Sequence, residues 1–307
     1  MLIALVTHVP PVLGTWMKIN LSFPQVAMNR RRKITLPFRS MAVGTEVLSR
    51  EQKEKFDRDG YLQFDPEIPD DVLNVILDEL GPKYRFEPGQ VEWDRGVEYT
   101  PGATPRIKDA WRLSGNVKTV AMAPKVLGAL QELYDRRPLP FQTLNFVLGT
   151  QQAIHSDSMH FRPAEPTYMC GVWVALEDID MTNGPLVYYP GSHRLPFVDY
   201  EDVGFDGVKE DYPSYMHFIW DRNAHYEEYI KNLLAQHNLT PEYGTIEKGQ
   251  ALIWASNLLH GGLHQEDKSR TRNSQVTHYL FEGSFAYHTP MRTEGEEEYW
   301  TTPDRIE

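Results

Sequence analysis

Past residue 140 the apolar residues of this chain leave helical spacing and fall into short runs bounded by turns, and no other feature narrows its fold as much. Phe141 to Leu148, Met169 to Leu176, Leu186 to Tyr189, Ala251 to Trp254 and Val276 to Phe281 are rich in apolar, aromatic and β-branched residues, which pack well on a pleated surface. Asn183-Gly184-Pro185, Pro190-Gly191-Ser192, Lys248-Gly249 and Gly261-Gly262 punctuate them. Before residue 140 the spacing is helical. Ser49 with Gln52 three residues on is a capping pattern, opening a helix that carries Phe56 and stops at Gly60. Tyr61 to Phe64 alternates like a strand, Pro69 to Leu80 and Val126 to Tyr134 read as helices, and residues 83–105 are turn-rich. Helices first and strands after argue for a mainly β sandwich or jelly roll with flanking helices, against a parallel βαβ sheet.

Residues 195–243 interrupt the strands with a long acidic, Tyr-rich insertion, expected to hold a helix from Arg222 to Gln236 and to act as a lid. Charge is unevenly placed. Residues 1–45 hold six bases and no acid; taking those six from the 31 Lys and Arg leaves 25 bases against 43 acids in residues 46–307. So acidic a body argues against nucleic acid or a membrane as the main partner, because phosphate binding needs a basic face. Residues 1–45 read as a basic, poorly ordered extension, with an organellar transit peptide as the alternative; residues 46–307 read as a single domain. The single cysteine, Cys170, excludes an intrachain disulfide framework and any cysteine-built metal cluster. A reducing compartment, the cytoplasm, is expected.

After Phe146-Val147-Leu148 comes Gln151-Gln152-Ala153-Ile154-His155-Ser156-Asp157. On a strand, His155 and Asp157 would point to one side. An imidazole and a carboxylate there make two-thirds of the 2-His-1-carboxylate set that holds non-haem Fe(II) with open positions. The missing ligand is His260, just after the run Ala251 to Trp254, placed as if two remote strands of a sandwich converge on one ion. Beyond it, Arg272 opens the last strand. A guanidinium there could pair bidentately with the far carboxylate of a dicarboxylate whose other end chelates the iron. Arg270 has the same strand parity and is the alternative.

From Ser49 to Phe281 the chain resembles the phytanoyl-CoA dioxygenase family of Fe(II)/2-oxoglutarate oxygenases. The resemblance is carried by Trp173-Val174-Ala175-Leu176-Glu177-Asp178, Asn183-Gly184-Pro185-Leu186 and Pro190-Gly191-Ser192-His193, in that order after His155-Ser156-Asp157. Glu51-Gln52, Phe56 and Asp59-Gly60-Tyr61 are also family-like. It implies a double-stranded β-helix, iron held by His155, Asp157 and His260, 2-oxoglutarate anchored by Arg272 rather than Arg270, and Trp173 along the cosubstrate pocket. O2 would be the second cosubstrate. An intact Asp157 favours hydroxylation, since related halogenases replace that carboxylate with a small residue. One position departs from the pattern. Gly262 stands where family members often carry a serine that helps hold the cosubstrate, so Gln142, Asn145 or a water would substitute.

The function expected is hydroxylation of an unactivated C–H bond of a small molecule, with release of succinate and CO2. The acidic body offers no dedicated site for CoA phosphates, which makes an acyl-CoA the less expected substrate. Two alternatives belong to other classes: a metal-dependent jelly-roll isomerase or hydrolase, and a non-catalytic carbohydrate or small-molecule binding protein on the same scaffold. His160, Phe161 and Arg162 are candidates for the substrate entrance, and His193 and Trp111 for structural packing with a pocket role as the alternative. Cys170 reads as a buried small hydrophobe, and the acidic run at 294–298 as a solvated tail.

Overall fold

The computed structural model describes residues 46–87, 90–93, 106–161, 163, 165–198, 202–284 and 304–307; the extension 1–45, Arg162 and the acidic run 294–298 lie outside the described residues. Helix α1 (Arg50–Asp59) starts where the capping pattern puts it. The Gln52 N–H donates to Ser49 Oγ at 3.2 Å, and the Ser49 N–H donates to Gln52 Oε1 at 2.8 Å. Strand β1 (Tyr61–Phe64) and helix α2 (Asp70–Leu80) follow, then the hairpin β2 (Tyr84–Glu87) and β3 (Gln90–Trp93), and β4 (Arg106–Lys108). Helices α3 (Gly115–Ala121) and α4 (Pro124–Tyr134) precede β5 (Pro138–Phe146). Next come a short helix α5 (Asp157–Phe161), β6 (Met169–Ala175), β7 (Leu186–Tyr188), helix α6 (Tyr215–Gln236) and β8 (Glu242–Tyr243). The chain closes its sheets with β9 (Ala251–Ala255), β10 (His260–Gly262) and β11 (Ser274–Phe281).

Six strands form one antiparallel sheet in the order β1-β9-β6-β11-β5-β4, and β10-β7-β8 form a smaller one. Period two gives the large sheet two different faces. Cys170, Val172 and Val174 of β6 and Ala251 and Ile253 of β9 join Leu73, Ile76, Val126 and Leu130 in a core shared with the helices. Trp173, Ala175, Leu252 and Trp254, one position over, join Leu186 and Tyr188 of the small sheet in a second core between the sheets. All seven residues of β6 are therefore buried, and the strand reads as an unbroken apolar run because both faces are covered. Each such side chain contributes roughly 1.5–3 kcal/mol by leaving water. This antiparallel jelly roll with helices on one face is the expected architecture, and Cys170 sits in its helix-side core as a free, buried thiol.

The insertion differs in one respect from its expected form. Helix α6 begins at Tyr215, seven residues before the Arg222 start that spacing suggested, because Ser214 caps it by accepting the His217 N–H at 3.5 Å. Tyr226, Ile230 and Leu234 pack on Met159 and Leu259, so the helix rests against the segments that follow His155 and precede His260. Among the described residues no helix is long and apolar enough to cross a membrane.

Candidate metal centre

His155 and His260 face each other as a bridged antiparallel pair: the His155 N–H donates to the His260 carbonyl at 2.8 Å, and the His260 N–H donates back at 2.9 Å. Directly opposed residues share a face, and their rings lie 4.5 Å apart. Two expectations are corrected here. The histidines are not carried by two remote strands: His155 is an isolated bridge residue paired directly with His260 of β10. Nor do His155 and Asp157 share a strand: the extended pairing ends with His155, and Asp157 is the first residue of α5.

The ligand-capable atoms of His155, Asp157 and His260 all lie within 4.8 Å of one another, and the three residues are buried. His155 Nδ1 donates to the Ala153 carbonyl at 2.8 Å and His260 Nδ1 to the Leu258 carbonyl at 2.9 Å. A carbonyl only accepts, so each ring carries its proton on Nδ1 and offers the Nε2 lone pair, the second contact metal-binding histidines ordinarily make. Asp157 Oδ2 accepts the Trp254 indole N–H at 2.7 Å, while Oδ1 lies 3.9 Å from His260 Nε2. Burial alone would push the Asp157 carboxyl up, but the facing imidazoles of His260, His278 and His155 outweigh it and hold it well below the usual carboxylate range. Burial, then the neighbouring His260 and His160 rings, push His155 well down. A carboxylate that stays ionised and a His155 ring pushed toward its neutral form are donors a divalent cation can use.

Arg272 and Arg270 part company. Arg270 is spent at the surface on Asp180 at 2.5 Å and on Thr182 at 2.8 Å. Arg272 is 1% exposed, with its guanidinium 5.4 Å from the Trp173 ring and 5.6 Å from Phe146. Its Nη1 donates to Ser274 Oγ at 2.7 Å, and its Nε and Nη2 have no acceptor among the described residues; neither has the buried Trp173 indole N–H. The segment carrying Arg272 is braced by two motif residues. Asn183 donates to the Thr271 carbonyl at 3.1 Å, and Glu177 accepts from the Thr271 hydroxyl at 2.7 Å and from the Asn273 backbone N–H.

The substitutes named for the missing serine separate. Gln142 is the register partner of His278 on the inner face; Asn145 pairs with Gln275 on the helix side, where its amide donates to Gln275 Oε1 at 3.3 Å. Three residues apart on a strand, the two cannot share a face, and Asn145 is not placed to touch a cosubstrate in the barrel. Gly262 has a steric reason. A Cβ there would overlap Thr150 Oγ1 and the backbone N of Gln151. Ser274, unremarked in the sequence, supplies the hydroxyl beside Arg272 instead; its place inward at the start of β11 was the only signal for it.

Trp111 and His193 make structural contacts. The Trp111 indole donates to Asp109 at 3.3 Å and packs on the helix-side core. His193 Nε2 lies 3.2 Å from the Asp57 carbonyl, and its neighbour Ser192 accepts the Leu259 N–H at 2.8 Å, tying the Pro190-Gly191-Ser192 turn to the strand that carries His260. Of the entrance candidates, His160 lies 5.0 Å from the His155 ring at a tilt of 60°, and Phe161 lies 4.7 Å from His278.

A jelly roll with two histidines and one aspartate converging inside it is the framework of the non-haem iron oxygenases. A family model described as phytanoyl-CoA dioxygenase (PhyH) matches residues 56–271, and the chain belongs to that family. A Caenorhabditis elegans protein named "Probable phytanoyl-CoA dioxygenase" is 25% identical over 195 residues, 52% of this chain and 58% of that protein. An Arabidopsis thaliana phytanoyl-CoA dioxygenase is 34% identical over 83 residues, 26% of this chain and 29% of its own length. The chain thus spans less than two thirds of either curated relative. Among solved structures, the α-ketoglutarate-dependent carbocyclase SnoK from nogalamycin biosynthesis superposes with a TM-score of 0.55 at 14% identity, over 78% of this chain and 86% of its own. EctD from S. alaskensis with bound Fe gives 0.54 at 18% identity, over 79% and 80%; the same enzyme has been solved with 2-oxoglutarate and 5-hydroxyectoine. At such identities the likeness is one of fold.

Proposed function

We propose that this protein is an Fe(II)- and 2-oxoglutarate-dependent dioxygenase that hydroxylates an unactivated C–H bond of a small-molecule substrate. The overall conversion takes 2-oxoglutarate, O2 and R–H to succinate, CO2 and R–OH. The observation that carries the reading is Arg272, a buried guanidinium with two unmatched N–H donors on the inner face of the barrel that holds His155, Asp157 and His260. A buried cation without a carboxylate costs several kcal/mol, and a dianionic cosubstrate offsets that cost.

His155 and His260 would hold the iron through Nε2 and Asp157 through Oδ1. Iron so held supplies the O2 activation and oxidative decarboxylation that no side chain can perform. Arg272 would take the distal carboxylate of 2-oxoglutarate through Nε and Nη2, with Ser274 fixing the fork and Trp173 flanking it. The apolar walls of Leu144, Phe146, Leu186 and Val276 keep bulk water away from that carboxylate. Asp157 fills the position that a halide would need, which supports hydroxylation as the outcome. The Fe-bound and 2-oxoglutarate-bound structures of EctD support the same pair of cofactors.

The test is anaerobic loading with Fe(II), addition of O2, and assay of succinate formed from 2-oxoglutarate in the wild type, Asp157→Ala and Arg272→Ala. Slow uncoupled succinate formation is expected in the wild type and none in Asp157→Ala. Arg272→Ala should need at least 10-fold more 2-oxoglutarate, the loss typical of a charge-assisted bidentate pair. Wild-type and Asp157→Ala proteins that make succinate equally would sink the proposal.

A further inference from the structure

Across the inner face of the large sheet, Tyr61, Trp254, Gly171, His278 and Gln142 are register partners in succession. Gly171 is a gap in that row. A Cβ there would overlap the six-membered ring of the Trp254 indole, so the indole lies across the glycine. From that position its Nε1 donates to Asp157 Oδ2 at 2.7 Å. On the far side of the gap, His278 places Nε2 3.5 Å from the same oxygen. His278 Nδ1 is buried with no acceptor, and the ring is flanked by Phe161 at 4.7 Å and Phe141 at 6.1 Å. Among the described residues, Nε2 is therefore the ring nitrogen that faces an oxygen, Asp157 Oδ2.

We infer that Trp254 and His278 are positioning residues that act through Asp157. Between them they engage Oδ2 and leave Oδ1 as the single oxygen presented between His155 and His260. This rests on the reading of the triad as a metal site. The consequence is specific to an enzyme that needs three open positions on its ion. A carboxylate free to rock can offer both oxygens and take a fourth position from the cosubstrates; one held from behind cannot. Trp254 is fixed in turn by the absence of a side chain at 171, so the clamp is written into three adjacent strands.

Co(II) binding to the metal-free full-length protein, followed anaerobically by visible absorption, tests this without turnover. Trp254→Phe keeps a ring over Gly171 but loses the donor, and His278→Leu loses the imidazole. Each should weaken Co(II) affinity about 10- to 100-fold, as loss of contacts behind metal ligands commonly does. His278→Gln, whose amide N–H can reach the same oxygen, should stay within about threefold of the wild type, a rescue that a packing role would not produce. Gly171→Ala should follow Trp254→Phe, because the added methyl group displaces the indole. Should Trp254→Phe and His278→Leu bind Co(II) like the wild type, or His278→Gln fall as far as His278→Leu, the clamp is wrong. Failure of the underlying metal reading looks different: no saturable Co(II) signal in the wild type, or equal affinity in Asp157→Ala. Where Trp254→Phe does not fold, the two His278 variants decide alone.

Discussion

Burial of the Arg272 guanidinium costs this protein stability. Loss of water pushes its guanidinium down to about 10, with Glu177 only partly restoring it. A base with its folded pKa below its unfolded value makes the folded state pay at every pH below that folded pKa, with relief only as pH rises through about 10. At neutral pH the penalty is fully present. Arg272→Leu without ligands is therefore expected to be more stable than the wild type by about 1–3 kcal/mol, although it should lose all stabilisation by 2-oxoglutarate. Calorimetric melts of both proteins, metal-free and then with Mn(II) and 2-oxoglutarate, check both halves; a metal-free Arg272→Leu that melts below the wild type would mean the guanidinium has protein partners that outweigh its desolvation. Strand parity places Arg272 and Arg270 on one side and cannot choose between them; only the family resemblance favours Arg272. The choice is made in space by Asp180 and Thr182, which capture Arg270 at the surface. Ser274 escaped notice for a related reason. A serine says nothing until the register of β11 turns it inward beside an arginine.

Helix α6 shows what an element adds that residue types do not. Periodicity and turn chemistry made α1, α2, α4 and the strands β1, β5, β6, β9 and β11 legible within a few residues, because each buries a regular face; the three-residue β4 at the edge of the large sheet was not among them. The three-residue β10 escaped because its glycines carry no pattern; it exists through pairing with β7 and with His155. The insertion expected as a lid is anchored at its base: the Tyr226 hydroxyl accepts the Ser156 N–H at 3.3 Å and lies 3.4 Å from Ser156 Oγ. Ser156 stands between His155 and Asp157, two of the three proposed ligands. Tyr226→Phe should cost about 1 kcal/mol and weaken metal binding as well, whereas Ile230→Ala, a pure packing loss, should cost about 2–4 kcal/mol with metal affinity of the folded protein unchanged. Chemical denaturation paired with metal titration separates the two. Exchanging residues 195–243 while keeping Tyr226, Ile230 and Leu234 is expected to change substrate choice and spare uncoupled 2-oxoglutarate turnover; loss of that turnover would remove the lid reading.

At the scale of the whole molecule, charge works against the proposed cosubstrate. The chain carries a formal net charge of −12, and the cosubstrate is a dianion. Arg272, the proposed anchor, would act only after entry, since attraction through low dielectric is local while the field of an acidic surface reaches about 8–10 Å at moderate ionic strength. Capture and approach are thus opposed: Arg272 sets how firmly 2-oxoglutarate is held, and the acidic surface sets how often it arrives. Added salt screens the second far more than the first, because the buried guanidinium sees little counterion. The apparent second-order rate constant for 2-oxoglutarate should accordingly rise about two- to fivefold between 10 and 150 mM salt, with the dissociation rate nearly unchanged. Stopped-flow binding to the Fe(II)-loaded, O2-free enzyme at several ionic strengths measures both constants. An association rate that falls with salt would place a positive field at the barrel mouth strong enough to override the body's charge, and would turn attention to the exposed bases nearest that opening.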